Sequence, residues 1–70
     1  MNAFEEEMRQ RRIRELRANC ARNRITLKAV AEYCGYQPIS IYNNMRIGLI
    51  SLKRLDRMEE AYQELAAQKK

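Results

Sequence analysis

The sequence contains no histidine and no tryptophan, and it has only two glycines, one proline and two cysteines. Without histidine, the chain lacks the commonest general base and the commonest metal ligand. It also lacks a glycine-rich phosphate loop and a pair of carboxylates in an apolar context. We therefore expect a protein that is not an enzyme, that needs no metal or other cofactor, and that has no small-molecule substrate.

The other scarce features exclude further classes of protein. Few glycines and prolines leave little room for the turns of a sheet or for a flexible linker. No apolar run approaches the ~20 residues of a membrane span, and the acidic start "MNAFEEEMRQ" differs from a secretion signal. Cys20 and Cys34 are too far apart for a redox or zinc motif, so we interpret them as small buried residues. These features predict a cytoplasmic protein without membrane association.

What the sequence does contain is helix-forming and basic. Of its 70 residues, 46% are hydrophobic and 33% are charged, and many are strong helix formers such as Ala, Leu, Arg, Glu and Lys. The net charge of +5 favours a polyanionic partner, either nucleic acid or an anionic membrane. The membrane is disfavoured because the basic first helix lacks the Trp, Phe and Leu face of an interfacial helix. The length predicts one domain over residues 1–70, with a small all-α fold.

The first helix is predicted from Ala3 to about Arg22, with residues 1–9 as a solvated extension that is helical or frayed. Its buried face is marked by spacings of three and four, at Ile13, Leu16 and Cys20. The many arginines of this region are interpreted as a solvated face, namely Arg9, Arg11, Arg12, Arg14, Arg17, Arg22 and Arg24.

The segment "RNRIT" predicts an end and a new start of helix. Asn23 is expected to take the left-handed conformation after the first helix, and Thr26 to cap a second helix from Leu27 to about Cys34. This second helix is expected to turn four residues inward: Leu27, Val30, Ala31 and Cys34.

A third and a fourth helix complete the prediction. Gly35 supplies the positive φ that ends the second helix, and Pro38 suits the first turn of a third helix that runs to about Arg46. The third helix buries Ile41 and Met45, and Gly48 closes it. Ser51 is the expected N-cap of the fourth helix, whose last residues, "AAQKK", are expected to fray. The apolar stripe of the fourth helix consists of Leu52, Leu55, Met58, Tyr62 and Leu65.

Three segments at matching spacing carry a resemblance to a known family: "RIRELR", "TLKAVAEYCGYQPISIYNN" and "SLKRLDRMEEAY". Together they resemble the helix-turn-helix family of Cro and the phage repressors, also called xenobiotic-response-element-like, over about fifty of the 70 residues. The resemblance implies a lambda-repressor-like domain of four helices, or five, that binds double-stranded DNA. The chain departs from the usual family pattern at Leu27, Asn44 and Met45.

The resemblance also implies which residues contact DNA. Side chains at the start and on the outer face of the third helix would read bases: Gln37, Ile39, Ser40, Tyr42, Asn43 and Arg46. The starts of the second and fourth helices would contact phosphates: Thr26, Lys28, Ser51 and Lys53.

The residue types support this assignment independently. No acidic residue occurs between Glu32 and Asp56, as expected of a surface that faces phosphates. The amides of Gln37 and Asn43 could pair with adenine, and Arg46 could bind guanine or a phosphate. In the same way Ile39 could meet a thymine methyl group, and Tyr42 a phosphate or a sugar. The plainer interpretation of all these residues is a solvated helix face.

Two hypotheses of function follow. The first is a small phage or prophage repressor of the Cro type that occludes an inverted-repeat operator as a homodimer, in a bacterial cell or a phage-infected host. The dimer would form through Leu49, Ile50, Tyr62 and Leu65, unless these residues complete the core. The second is a protein-interaction module, such as a phage inhibitor or an antitoxin, anchored by the apolar strip of the last helix with Tyr42 or Ile39.

Overall fold

A computed structural model of the protein describes residues 3–69, which form four helices connected by short turns. The helices are α1 (Ala3–Arg22), α2 (Leu27–Cys34), α3 (Pro38–Arg46) and α4 (Leu52–Gln68). No strand occurs among residues 3–69, so the predicted all-α fold is confirmed with four helices. Over the same residues, no helix has both the length and the apolar character that a membrane span requires.

The core lies where α4 packs against α1 and α2, while α3 packs against α2. Every helix contributes to it, and Ile25 and Ile50 join it from the connecting turns. Leu27 and Cys34, which were predicted to face inward, are only half-buried at its edge. The buried apolar side chains are those of Ile13, Leu16, Cys20, Ile25, Val30, Ala31, Ile41, Met45, Ile50, Leu55, Met58 and Ala61.

The first helix ends in a Schellman motif whose left-handed residue is Arg24, with φ 57°, rather than the predicted Asn23. The Ile25 amide donates to the Cys20 carbonyl at 2.9 Å, and the Arg24 amide donates to Ala21 at 3.2 Å. Asn23 stays within the last helical turn because its side-chain amide donates to the carbonyl of Asn19 and to the Tyr62 hydroxyl. The prediction therefore placed the left-handed residue one position too early. It took no account of the contact between Asn23 and Tyr62 of α4.

The same motif ends α2 and α3, and there the left-handed residue is a glycine as predicted. Gly35 has φ 81° and Gly48 has φ 73°. After each glycine, the next amide donates back across the turn: Tyr36 to Ala31 at 2.9 Å, and Leu49 to Asn44 at 2.8 Å. Three of the four helices therefore end in one kind of turn.

Two arginines of α1 are not solvated, contrary to prediction. Arg9 is buried, so the exposed start of α1 ends at Met8 within the described residues; residues 1 and 2 of the predicted extension lie outside them, as does Lys70. Arg12 forms ion pairs with Asp56 and Glu59 of α4. These hydrogen bonds, to Glu59 first and then Asp56, raise the pKa of the Arg12 guanidinium. Both arginines lie on the sides of α1 that approach the core, so their burial is set by packing.

The end of α4 is ordered rather than frayed. The helix continues to Gln68, and the ammonium group of Lys69 donates to the carbonyl oxygens of Asn23 and Arg24 at 3.1 and 2.9 Å. These carbonyls follow the last turn of α1, where the helix dipole favours a positive charge. The C-terminal end of α4 is thus attached to the α1–α2 turn.

Candidate nucleic-acid interface

The third helix has one buried side and one exposed side, and the predicted base-reading residues lie on the exposed one. Ile41 and Met45 are 0% and 4% exposed and attach α3 to the core. Ile39, Asn43 and Arg46 follow at spacings of four and three, which places them on one outward stripe. All six predicted residues are exposed: Gln37, Ile39, Ser40, Tyr42, Asn43 and Arg46.

The start of α3 is built so that Gln37 keeps its side chain available. Gln37 is the N-cap residue, but its side chain makes no capping hydrogen bond. Pro38 follows at the first helical position, where its missing N–H removes one donor that would otherwise need a cap. The side-chain amide of Gln37 is therefore exposed at the start of α3, which does not need it as a cap.

The predicted phosphate contacts form two similar sites at the starts of α2 and α4. The hydroxyls of Thr26 and Ser51 accept hydrogen bonds from the amides of Ala29 at 3.0 Å and Arg54 at 3.2 Å. Each hydroxyl keeps its hydrogen for donation, and each is followed two residues later by an exposed lysine, Lys28 or Lys53. We call these two sites, Thr26 with Lys28 and Ser51 with Lys53, the cap–lysine sites. The helix dipole adds positive potential at both.

The electrostatics of this side of the molecule favour an anion. No carboxylate occurs from residue 33 to residue 55, a stretch that contains all of α3. The first carboxylate of α4, Asp56, is paired with Arg12. The Arg54 guanidinium lies 5.5 Å from the centre of the Tyr36 ring, which holds this positive charge over the α2–α3 turn. The Arg54–Tyr36 contact was not predicted, because nothing in the local sequence relates the two residues.

An open cleft of about 400 Å³ lies beside the exposed face of α3. It combines residues from three helices, so no local pattern in the sequence could have indicated it. The residues that line it are Arg17 of α1, Leu27 of α2, and Tyr42, Met45 and Arg46 of α3. Of these, Tyr42 and Arg46 were predicted to contact DNA, whereas Arg17, Leu27 and Met45 were not.

The predicted dimer residues separate into two groups. Ile50 is 0% exposed and belongs to the core, and Tyr62 and Leu65 pack against the core, so these three complete the fold as the alternative interpretation held. Leu49 is 63% exposed, and Ile47, two residues earlier, is also exposed. Only Leu49 of the predicted set therefore remains available to a partner.

The cysteines and tyrosines outside α3 offer no comparable site. Cys20 is buried and Cys34 half-buried, and in both cases burial raises the pKa of the thiol, which disfavours the reactive thiolate. Tyr33 is exposed, and a hydrogen bond with Glu64 raises its pKa. Within residues 3–69, no three His, Cys, Asp or Glu side chains are grouped to hold a metal ion.

Comparison with protein-family models, curated proteins and solved structures finds no match to this chain. The proposal of function below therefore depends on the geometry of α3 and its surroundings and on the resemblance of the sequence.

Proposed function

We propose that this chain is a sequence-specific regulator of transcription that binds double-stranded DNA, of the type of the small Cro-like phage repressors. The observation that carries the proposal is the exposed face of α3, which has no carboxylate and presents two amides and a guanidinium: Gln37, Asn43 and Arg46. Buried Ile41 and Met45 fix the helix from the other side, so these groups are held on a rigid support.

Each part of this surface has a stated role in the proposed complex. In the major groove, the amides of Gln37 and Asn43 pair with adenine, each discriminating by about 1–3 kcal/mol, and Arg46 binds guanine or a phosphate. Ile39 contacts a thymine methyl group, and Ser40 contacts either kind of base pair. The two cap–lysine sites hold phosphates on either side, which adds affinity that falls as salt rises. Repression follows because the bound protein occludes the operator.

A dimer on DNA is part of this proposal, and Leu49 supports it. In the Schellman motif, the residue after the left-handed position normally makes an apolar contact, as Ile25 does in the core. Leu49 holds the same position after Gly48 but is 63% exposed, and its counterpart in the motif is the polar Asn44. We propose that a second copy covers Leu49 and Ile47, so that two α3 helices reach major grooves about 34 Å apart.

The first prediction concerns sequence recognition. Selection from random duplexes should enrich one inverted repeat, and gel shifts at two salt concentrations should show that the enriched sequence binds more tightly at both. Asn43→Ala should weaken binding to that sequence by about 1–3 kcal/mol and relax the preference at one base pair. Gln63→Ala, an exposed amide on α4, is the matched control and should bind like the unaltered protein.

The repressor proposal fails if no sequence is enriched and binding follows charge and salt alone. That result favours the second candidate, a protein-interaction module. One observation supports this candidate: Ile39 is 73% exposed on the same face as Tyr42, which is unusual for a free apolar side chain beside an aromatic one. In the apolar strip of α4, Leu55 and Met58 are fully buried, and the half-buried Leu52, Tyr62 and Leu65 pack against the core. This candidate therefore depends mainly on Ile39 and Tyr42. Ile39→Ser should then abolish binding of the protein partner while Asn43→Ala leaves it intact.

A further inference from the structure

Two arginines that line the cleft beside α3 have no acidic partner among residues 3–69. Arg17 and Arg46 are both exposed, and neither forms an ion pair with a carboxylate of residues 3–69. By contrast, Arg12 is paired with two carboxylates of α4. It lies about one and a half helical turns before Arg17 in α1. The positive charge at the cleft is therefore not neutralised by the described part of the protein.

The remaining lining of the cleft is apolar and aromatic. Leu27 and Met45 supply apolar surface, Met45 being 4% exposed, and Tyr42 adds a ring with a hydroxyl. Two guanidinium groups of like sign beside an apolar floor repel each other in the free protein. An anion bound between them removes this repulsion, and a planar guanidinium suits the oxygens of a phosphate in particular.

We propose that this cleft binds one phosphodiester of the DNA backbone, with the phosphate on Arg17 and Arg46 and its deoxyribose against Tyr42 and Leu27. The inference depends on the proposed function and extends it by assigning Arg17 of α1 to the DNA contact. It also assigns Tyr42 to the backbone rather than to a base. Charge complementarity and the apolar floor together match a sugar–phosphate unit, which has one charged and one apolar side.

The position of the cleft supports a polymer as the occupant. Leu27 is preceded by Thr26 and followed by Lys28, the first cap–lysine site, so the cleft extends that surface from α2 towards α1. Arg46 and Tyr42 connect the cleft to the exposed face of α3. The cleft is partly open to solvent, which leaves room for a backbone segment to enter it.

The test compares Arg17→Ala with Arg11→Ala, two exposed arginines of α1 that lose the same charge and the same side chain. Arg11 lies outside the cleft. Each protein is titrated with the selected duplex, and with the same duplex altered at one base pair, at four salt concentrations. Circular dichroism and thermal melting show that both variants fold.

For Arg17→Ala we expect affinity about tenfold lower at 0.1 M salt and a plot of log affinity against log salt that is shallower by about 0.9. The ratio of affinities for the two duplexes should stay unchanged, because a phosphate contact carries no sequence information. Arg11→Ala should keep the original slope. Tyr42→Ala should weaken binding to both duplexes by the same factor, as expected of a backbone contact.

Two results overturn the inference, and they are distinguishable. If the unaltered protein binds the duplex specifically but Arg17→Ala has the slope and affinity of Arg11→Ala, only the cleft assignment fails. If the unaltered protein binds no duplex, the proposed function and the cleft assignment fail together. A changed preference between the two duplexes in Tyr42→Ala would return Tyr42 to base recognition and would also contradict the assignment.

Discussion

At the scale of single residues, Leu49 and Ile50 are chain neighbours with opposite environments. Leu49 is 63% exposed and Ile50 is 0% exposed, although both are apolar and both lie in the same turn. The Leu49 amide completes the Schellman turn after Gly48, and the chain then passes inward to Ile50 before Ser51 caps α4. One residue serves the core and the other is available to a partner.

We predict that Ile50→Ala lowers the free energy of unfolding by about 2–5 kcal/mol, because it leaves a cavity in the core. A domain of this size has a stability of only about 5 kcal/mol, so much of the variant should be unfolded at 37 °C. Leu49→Ala should change the free energy of unfolding by less than about 0.5 kcal/mol. Urea denaturation followed by circular dichroism measures both. Equal losses in the two variants would contradict the burial difference between them.

At the scale of helices, the same structures recur at the helix ends and at the helix starts. Three C-terminal ends use the same turn, and the starts of α2 and α4 use the same hydroxyl cap followed by a lysine. Capping and phosphate binding need different properties of Thr26: its oxygen accepts the Ala29 amide, and its surroundings must tolerate a negative partner. A substitution can separate these two roles.

Thr26→Asn and Thr26→Asp should both preserve the cap, since both side chains are good N-cap acceptors. Their free energies of unfolding should lie within about 0.5 kcal/mol of each other, and the aspartate should gain slightly from the helix dipole. For duplex DNA at low salt, however, Thr26→Asp should bind at least about tenfold more weakly than Thr26→Asn, because its carboxylate faces phosphates. Equal DNA affinity of the two variants would remove Thr26 from the proposed interface.

At the scale of the whole molecule, the net charge of +5 and the small exposed apolar area both oppose dimer formation in solution. Leu49 and Ile47 expose far less than the ~800 Å² per partner of a stable interface, and two copies of a basic protein repel each other. In the proposed complex, DNA neutralises that repulsion because the two copies occupy adjacent half-sites. We therefore expect a monomer in solution that pairs on the operator.

Leu49→Glu should abolish the extra affinity that two cooperating copies have for the full inverted repeat. The affinity for a half-site should fall only as far as the added negative charge explains. Phe4→Glu is the matched control, since it adds the same charge at another exposed apolar residue, near the start of α1. It should keep the extra affinity for the full inverted repeat. Gel shifts on half-site and full-site duplexes, with sedimentation of the free protein, distinguish the two variants. Identical behaviour of both would place the dimer contact elsewhere.

The sequence by itself determined the four helices, their bounds except the end of α4, and most of the core. Spacings of three and four at Ile13, Leu16 and Cys20 define a helical face wherever the helix lies, and Gly35, Pro38 and Ser51 act on the backbone next to them. These signals are local, so they survive without knowledge of packing. The exposure of the six α3 residues follows from the same periodicity.

Only the tertiary structure decided which long side chains are solvated and which residues from different helices meet. Arg12 and Arg17 are both arginines on α1, yet α4 presents carboxylates to one and α3 presents Met45 and Arg46 to the other. The left-handed residue moved from Asn23 to Arg24 because Tyr62 holds Asn23, a contact across 39 positions. Helical periodicity predicts in which direction a side chain points from the axis of its helix. The residues that this side chain meets depend on how the helices pack against each other.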